Sequence, residues 1–252
     1  MHFFLHDNRQ LLLGVFLIIS LTGCNAGSEA QKIVDLAIEA QGGQNYNNVF
    51  IEFDFRNRHY TITKKDGIFE YTRAFDDSLG RYKDVYSNEG FYRMLNGEKI
   101  VVPDTMAVKY TNSVNSVVYY ATTPFVLNDP SVVKKYLGLC SIKNQKYHKI
   151  EIRFKQEGGG NDFDDVYVYW FNKETRLMDY FAYKYYTDGG GTRFREIYNK
   201  RWVGDILFSD HYNYQYDSKD TPIHEFDQLY EDNQLELLSK IELENVKVSS
   251  LN

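Results

Sequence analysis

The chain has 252 residues, 35 of them acidic and 29 basic, for a formal net charge of −6, and 43% are hydrophobic. That composition belongs to a globular protein rather than a disordered or fibrous one, and its acidic balance gives no overall attraction to phosphate backbones, so nucleic acid is not an expected partner. The content of 22 Tyr, 17 Phe and 2 Trp at a mean hydropathy of −0.51 suits β-sheet that is wet on one side.

Reading from the amino terminus, Arg9 is balanced by Asp7 and followed by the apolar run 11–19. The run is shorter than the roughly 20 residues that span a bilayer and has the length of a signal-peptide core. Leu21-Thr22-Gly23-Cys24 then resembles the lipobox of bacterial lipoproteins. The resemblance implies cleavage before Cys24, a diacylglyceryl group on its thiol and acylation of the new amino terminus. At about 0.8 kcal/mol per buried CH₂, several acyl chains make a lasting anchor. Asn25 stands where Asp marks inner-membrane retention in enterobacteria, and 25–28 lacks an acidic export run. The expected organisation is therefore a removed leader (1–23), a lipidated tether (24–28) and one β domain (29–252), on the outer membrane and facing the periplasm. With Cys24 acylated, Cys140 has no disulfide partner, and its neighbours Leu137, Leu139 and Ile142 point to a buried, inert thiol.

Ser28 and Gln31 form a capping box, and Ile33, Leu36, Ala37 and Ala40 repeat at helical spacing up to Gly42-Gly43. The segment 49–55 alternates Val49, Ile51, Phe53 and Phe55 with mostly polar residues, the pattern of a half-buried strand. Asp66-Gly67 and Asn96-Gly97 sit between apolar-alternating runs and predict two hairpins, 60–72 and 91–102. Between 104 and 123 the period lengthens: Ala107, Tyr110, Val114, Val117 and Ala121 predict a helix with Asp104 as N-cap and Pro124 beyond its end. A second helix is expected over 128–137, closed by Gly138. Strand patterns resume at 149–155, 166–171, 177–185, 192–198 and 206–214, followed by a helix near 225–235 and a closing strand at 242–248.

Roughly a dozen strands without βαβ alternation exclude doubly wound and TIM-type folds, and no 20–50-residue repeat points to a propeller or solenoid. The expected class is mainly β (α+β): one strongly curved antiparallel sheet or unclosed β-barrel, with an N-terminal helix and a helical lid over its concave face. This order of elements behind a lipobox is similar to the lipoprotein-carrier (LolA/LolB-like) superfamily, which implies an apolar cavity under a helical lid. More specifically, the chain resembles a family of Gram-negative lipoproteins of unknown function. The residues carrying that likeness are Gln41-Gly42-Gly43, Phe53-Asp54-Phe55-Arg56, Val114-Asn115-Ser116-Val117, Leu127-Asn128-Asp129-Pro130, Glu157-Gly158-Gly159-Gly160 and Arg193-Phe194-Arg195-Glu196. The family brings no catalytic residues with it.

Three groups of residues carry candidate chemistry. Asp162, Asp164 and Asp165 follow a glycine triplet and are weak candidates for a Ca²⁺ site or an acid–base pair, but they lack EF-hand spacing, and a solvated hairpin tip with Asp/Gly turn chemistry is the better account of them. Arg193 and Arg195, two apart on a strand, share one face; as a solvated face it pairs with nearby acids, the ordinary account of such charges, and at a cavity mouth it would hold a carboxylate or phosphate head group. The aromatic runs 167–171 and 180–186, with Tyr169 and Tyr183 as their candidate ligand contacts, either pack a core or line a concave binding surface. His59, His148, His211 and His224 lack zinc-site spacing, so no metal or other cofactor is expected. The leading function is non-catalytic binding of a lipid, lipidated peptide or other hydrophobic molecule. The alternatives are a periplasmic hydrolase or lyase built from the acidic loop and the paired arginines, and a structural envelope protein with a Tyr-rich partner face.

Overall fold

A computed structural model describes residues 28–157, 164–186, 189–218 and 221–251. Helix α1 (Glu29–Glu39) begins at Ser28, whose hydroxyl accepts the Gln31 N–H at 3.2 Å as the capping box requires. Its buried stripe is Ala30, Val34, Ala37 and Ile38, while Leu36 is 44% exposed. The predicted stripe is thus rotated: both sets satisfy helical spacing, and the one containing the small Ala30 faces the core.

Strands β1 (Val49–Phe55), β2 (Arg58–Lys65), β3 (Ile68–Asp77), β4 (Gly80–Ser87), β5 (Gly90–Leu95) and β6 (Glu98–Ile100) form a sequential antiparallel meander. Its turns at Asp66-Gly67 and Asn96-Gly97 have positive φ at both central residues, the type I′ geometry that matches strand twist. Helix α2 (Asp104–Thr122) follows. Its N-cap is Pro103 rather than Asp104, which occupies the first turn, where a carboxylate still opposes the helix dipole. The second half of the chain adds β7 (Val132–Ile142), β8 (Gln145–Phe154), β9 (Val166–Asn172), β10 (Met178–Tyr185), β11 (Gly191–Val203) and β12 (Ile206–Gln215). The short α3 (Phe226–Glu231) and β13 (Glu236–Ile241) come next, and β14 (Glu244–Ser250) returns to pair with β1.

Two expectations are corrected here. Residues 132–142 form β7 rather than the C-terminal part of a helix over 128–137; the β-branched pair Val132-Val133 starts a strand that pairs with β8 along its length. Gly138, at φ +106°, marks a bulge rather than a helix stop, and there the register shifts. Upstream of it Val132 and Tyr136 face one core and Leu137 the other; downstream Cys140 and Ile142 join Leu137 on that second face. The single curved sheet is in fact two seven-stranded antiparallel sheets, ordered β14-β1-β2-β3-β4-β5-β6 and β13-β12-β11-β10-β9-β8-β7. They are left unclosed, with β6 and β7 at the far edges. The seam is the chain between β13 and β14, which leaves one sheet and enters the other. Asp210 accepts the Leu243 N–H at 3.0 Å and pairs with Arg201 at 3.1 Å, and the half-buried Arg201 also donates to the Leu243 carbonyl, so the buried Asp210 carboxylate is satisfied at the crossing.

Apolar side chains divide between the faces as alternation requires. On the inner face of the first sheet, Val49, Ile51, Phe53 and Ile62 pack with Val118 and Ala121 of α2. On the inner face of the second, Ile150, Ile152, Tyr169, Phe171 and Phe181 pack with α1. The outer face of the second sheet is covered by α3, where Trp170, Tyr180 and Phe194 meet Phe226 and Tyr230. No helix among the described residues is long and apolar enough to cross a membrane.

Candidate ligand cavity

A cavity of about 960 Å³ lies between α2 and the inner faces of both sheets. Tyr60, Lys64 and Tyr71 come from the first sheet, the stretch from Thr111 to Tyr120 from α2, and Phe154, Tyr167, Tyr169, Phe181, Tyr183 and Arg195 from the second. Strand alternation assembles the aromatic wall. Tyr167 and Tyr169 are two apart on β9 and lie opposite Tyr183 and Phe181 on β10, with centroid distances of 5.5 Å and 5.4 Å across the pair. Such offset stacks stabilise the sheet while presenting ring faces inward.

The electrostatics follow from burial. Tyr169 has its hydroxyl acidity suppressed by desolvation, and the nearby Tyr119 and Tyr183 reinforce the effect. Burial pushes Tyr71 up to about 12 and brings the Lys64 ammonium down to about 8, against the opposing pull of Asp129. Lys64 lies 4.6 Å from the centroid of the Phe125 ring, a cation–π contact in place of water. Arg195 donates to the Tyr183 hydroxyl at 2.8 Å. His211, next to it, is held well below the usual imidazole range by burial and by that guanidinium.

Three of the four ligand-contact candidates, Tyr169, Tyr183 and Arg195, therefore meet on one wall. Arg193 shares their face but is not part of the cavity lining; its guanidinium donates to the Thr192 carbonyl at 2.7 Å and lies 5.5 Å from the Tyr185 ring centroid. Asp162 and Cys24 fall outside the described residues. Asp164 is exposed and Asp165 buried, and neither lines the cavity. Among the described residues no group of three His, Cys, Asp or Glu side chains is placed to hold a metal ion. Cys140 is half-buried rather than buried; desolvation, assisted by Asp227, pushes its thiol up to about 12, which disfavours the nucleophilic thiolate. The exposed aromatic side chains among the described residues are Tyr186 and Trp202. Much of the Tyr content lies on inner walls and in the core beneath α3, while Tyr198 and Tyr212 stack on each other outside both.

Several cavity residues carry no local signal. Lys64 reads as one of two lysines before a turn, and Tyr119 as one of two tyrosines in a helix. Their placement follows from how α2 sits between the sheets, and local spacing does not encode that.

A DUF1329 family protein from Desulfovibrio piger aligns at TM-score 0.48 and 11% identity, over 86% of this chain and 92% of its own. A LolA superfamily protein from Nitrosomonas europaea aligns at 0.47 and 12%, over 88% and 93%. A domain from Vibrio parahaemolyticus described as an outer membrane lipoprotein-sorting protein aligns at 0.43 and 10%, over 87% and 93%. No curated protein matches the chain in sequence. One family model does match, over residues 10–243, and by it the chain belongs to DUF6503, a family of unknown function.

Proposed function

We propose that this protein is a lipid-anchored envelope lipoprotein, tethered through Cys24 to the outer membrane on its periplasmic side, whose folded part binds a hydrophobic or amphipathic molecule without transforming it. The observation that carries the reading is the cavity of about 960 Å³ walled by Tyr167, Tyr169, Phe181 and Tyr183. Its volume lies at the upper end of the roughly 300–1,000 Å³ of ligand sites, and its lining combines a wall of ring faces that suits a lipid tail with charged and hydroxyl- or amide-bearing side chains that suit a polar head. In this reading α2 is the lid as well as a wall. The hydrolase or lyase alternative has less support, because Asp164 and Asp165 stand apart from the cavity.

Native mass spectrometry of gently purified protein tests the binding. The expected spectrum contains a non-covalent adduct of lipid mass that organic extraction removes. Absence of the adduct, together with failure of the extracted protein to take up a fluorescent fatty acid, would reject the reading. Anchoring is tested separately: Cys24→Ala should move the protein from the membrane to the soluble fraction.

A further inference from the structure

Polar atoms without partners are gathered on the inner face of the second sheet. Arg195, 9% exposed, uses Nη2 on the Tyr183 hydroxyl, whereas its Nη1 has no hydrogen-bond partner. Directly opposite it on β12 is Asn213, 8% exposed, whose Nδ2 donates to Ser239 Oγ at 3.1 Å and whose Oδ1 has no partner. Two residues along the same face, His211 is 2% exposed with Nδ1 unpartnered. Of the five such buried atoms among the described residues, three thus belong to adjacent side chains of one sheet face, with Arg195 lining the cavity and His211 and Asn213 next to it on the sheet, and a fourth, the Tyr119 hydroxyl, belongs to the α2 wall of the cavity. Folded proteins pair nearly all buried polar groups, so a cluster of exceptions beside a cavity marks a place where something else completes the bonding.

Charge points the same way. The molecule carries −6 overall, yet the cavity lining contains Arg56, Arg58, Lys64 and Arg195 against one carboxylate, Asp129. No carboxylate among the described residues pairs with Arg195, an arrangement that is costly for a buried guanidinium unless an anion joins it.

We infer that the cavity takes an anionic amphiphile, its head group seated at Arg195, His211 and Asn213 and its tail lying over the Tyr167, Tyr169 and Phe181 rings. The inference rests on the cavity being the ligand site. Carboxylates and phosphate monoesters share the required chemistry, oxygens that accept parallel N–H bonds from a guanidinium fork. A neutral His211 offers one N–H in either tautomer, and the Asn213 amide can present either end.

The test measures binding of dodecanoate, dodecyl phosphate, 1-dodecanol and inorganic phosphate to the purified full chain stripped of lipid, by calorimetry. At least one of the two anionic dodecyl probes should bind at least about tenfold more tightly than the alcohol, a discrimination of about 1.4 kcal/mol. Whichever of them binds more tightly identifies the head group. Arg195→Gln should remove that preference, bringing the anionic dodecyl probes to the affinity of 1-dodecanol for the same variant. Equal affinity of the wild-type protein for dodecanoate, dodecyl phosphate and 1-dodecanol would overturn the head-group assignment yet keep the cavity reading, and it needs no variant. Inorganic phosphate binding as tightly as dodecyl phosphate would also overturn it, because the tail would then contribute nothing. If no dodecyl probe binds, the cavity reading itself falls.

Discussion

Asp84 is the most heavily used side chain in the first sheet. It is completely buried and accepts from Arg73 Nε at 2.9 Å and from Arg93 Nε at 2.5 Å. Arg73 continues to Ser113 Oγ at 2.6 Å, and the Arg93 guanidinium lies 3.5 Å from the Tyr110 ring centroid. Both second contacts are on α2, so one carboxylate on β4 fixes the helix that walls the cavity. Removing the charge leaves two buried cations facing each other, a loss of about 3–5 kcal/mol for a broken buried pair. Asp84→Asn should therefore lower stability by that order in urea unfolding, and a loss below about 1 kcal/mol would show that water or a neighbouring group compensates. Nothing local in Lys83-Asp84-Val85 distinguishes this aspartate from a surface one, because its partners come from β3 and β5 and are 11 and 9 residues away.

Elements were legible where local chemistry decides them. Strand β1 is found at its predicted bounds because alternation and hairpin turns act over a few residues, and α2 because its apolar period runs for five turns. Residues 128–137 depart from the expected helix because the same signals serve two structures. Asp129 looks like a helix start, yet its carboxylate closes an Asx turn on the Ser131 N–H at 2.8 Å. Gly138 looks like a helix stop, yet its positive φ serves a bulge that turns Cys140 and Ile142 toward the outer core. What decided the outcome was pairing with β8, which no window on 128–137 contains. The bulge gives a test. A Cβ at Gly138 would meet nothing within 4 Å, so its cost is purely conformational. Gly138→Ala should destabilise by about 1–3 kcal/mol, the strain of a left-handed backbone position, in thermal unfolding. A neutral result would mean that β7 relaxes to a regular strand.

For the whole molecule, the informative contrast is between an acidic exterior and a cation-lined interior. The aromatic excess and the overall charge were visible in the sequence, but the separation of charge from the cavity was not, since Lys64 and Arg195 lie 131 positions apart in the numbering of the chain and meet the same space only when the two sheets do. Lys64 makes this contrast measurable. Facing it are Asp129 from the loop before β7 and, from β3 and β4, Tyr71 and Tyr86 around the same loop. With Tyr71 pushed up to about 12, that hydroxyl stays neutral while Lys64 titrates near 8. The folded value lies below the unfolded one of 10.5. Below pH 8 both states hold the proton, and folding bears the full cost of burying the ammonium. Between pH 8 and 10.5 the unfolded chain binds more protons than the folded one, so this group's contribution to stability rises with pH and levels off above 10.5. Lys64→Met removes the titration. The variant should exceed the wild-type Tm at pH 7, and the gap should narrow steadily toward pH 10. A gap that stays constant would place Lys64 in water. At neutral pH the same argument leaves Lys64 charged, so an anionic head group entering the cavity meets a second desolvated cation besides Arg195. Saturating dodecanoate should then hold the Lys64 proton in place and flatten the pH dependence of the wild-type protein, whereas 1-dodecanol should leave it unchanged.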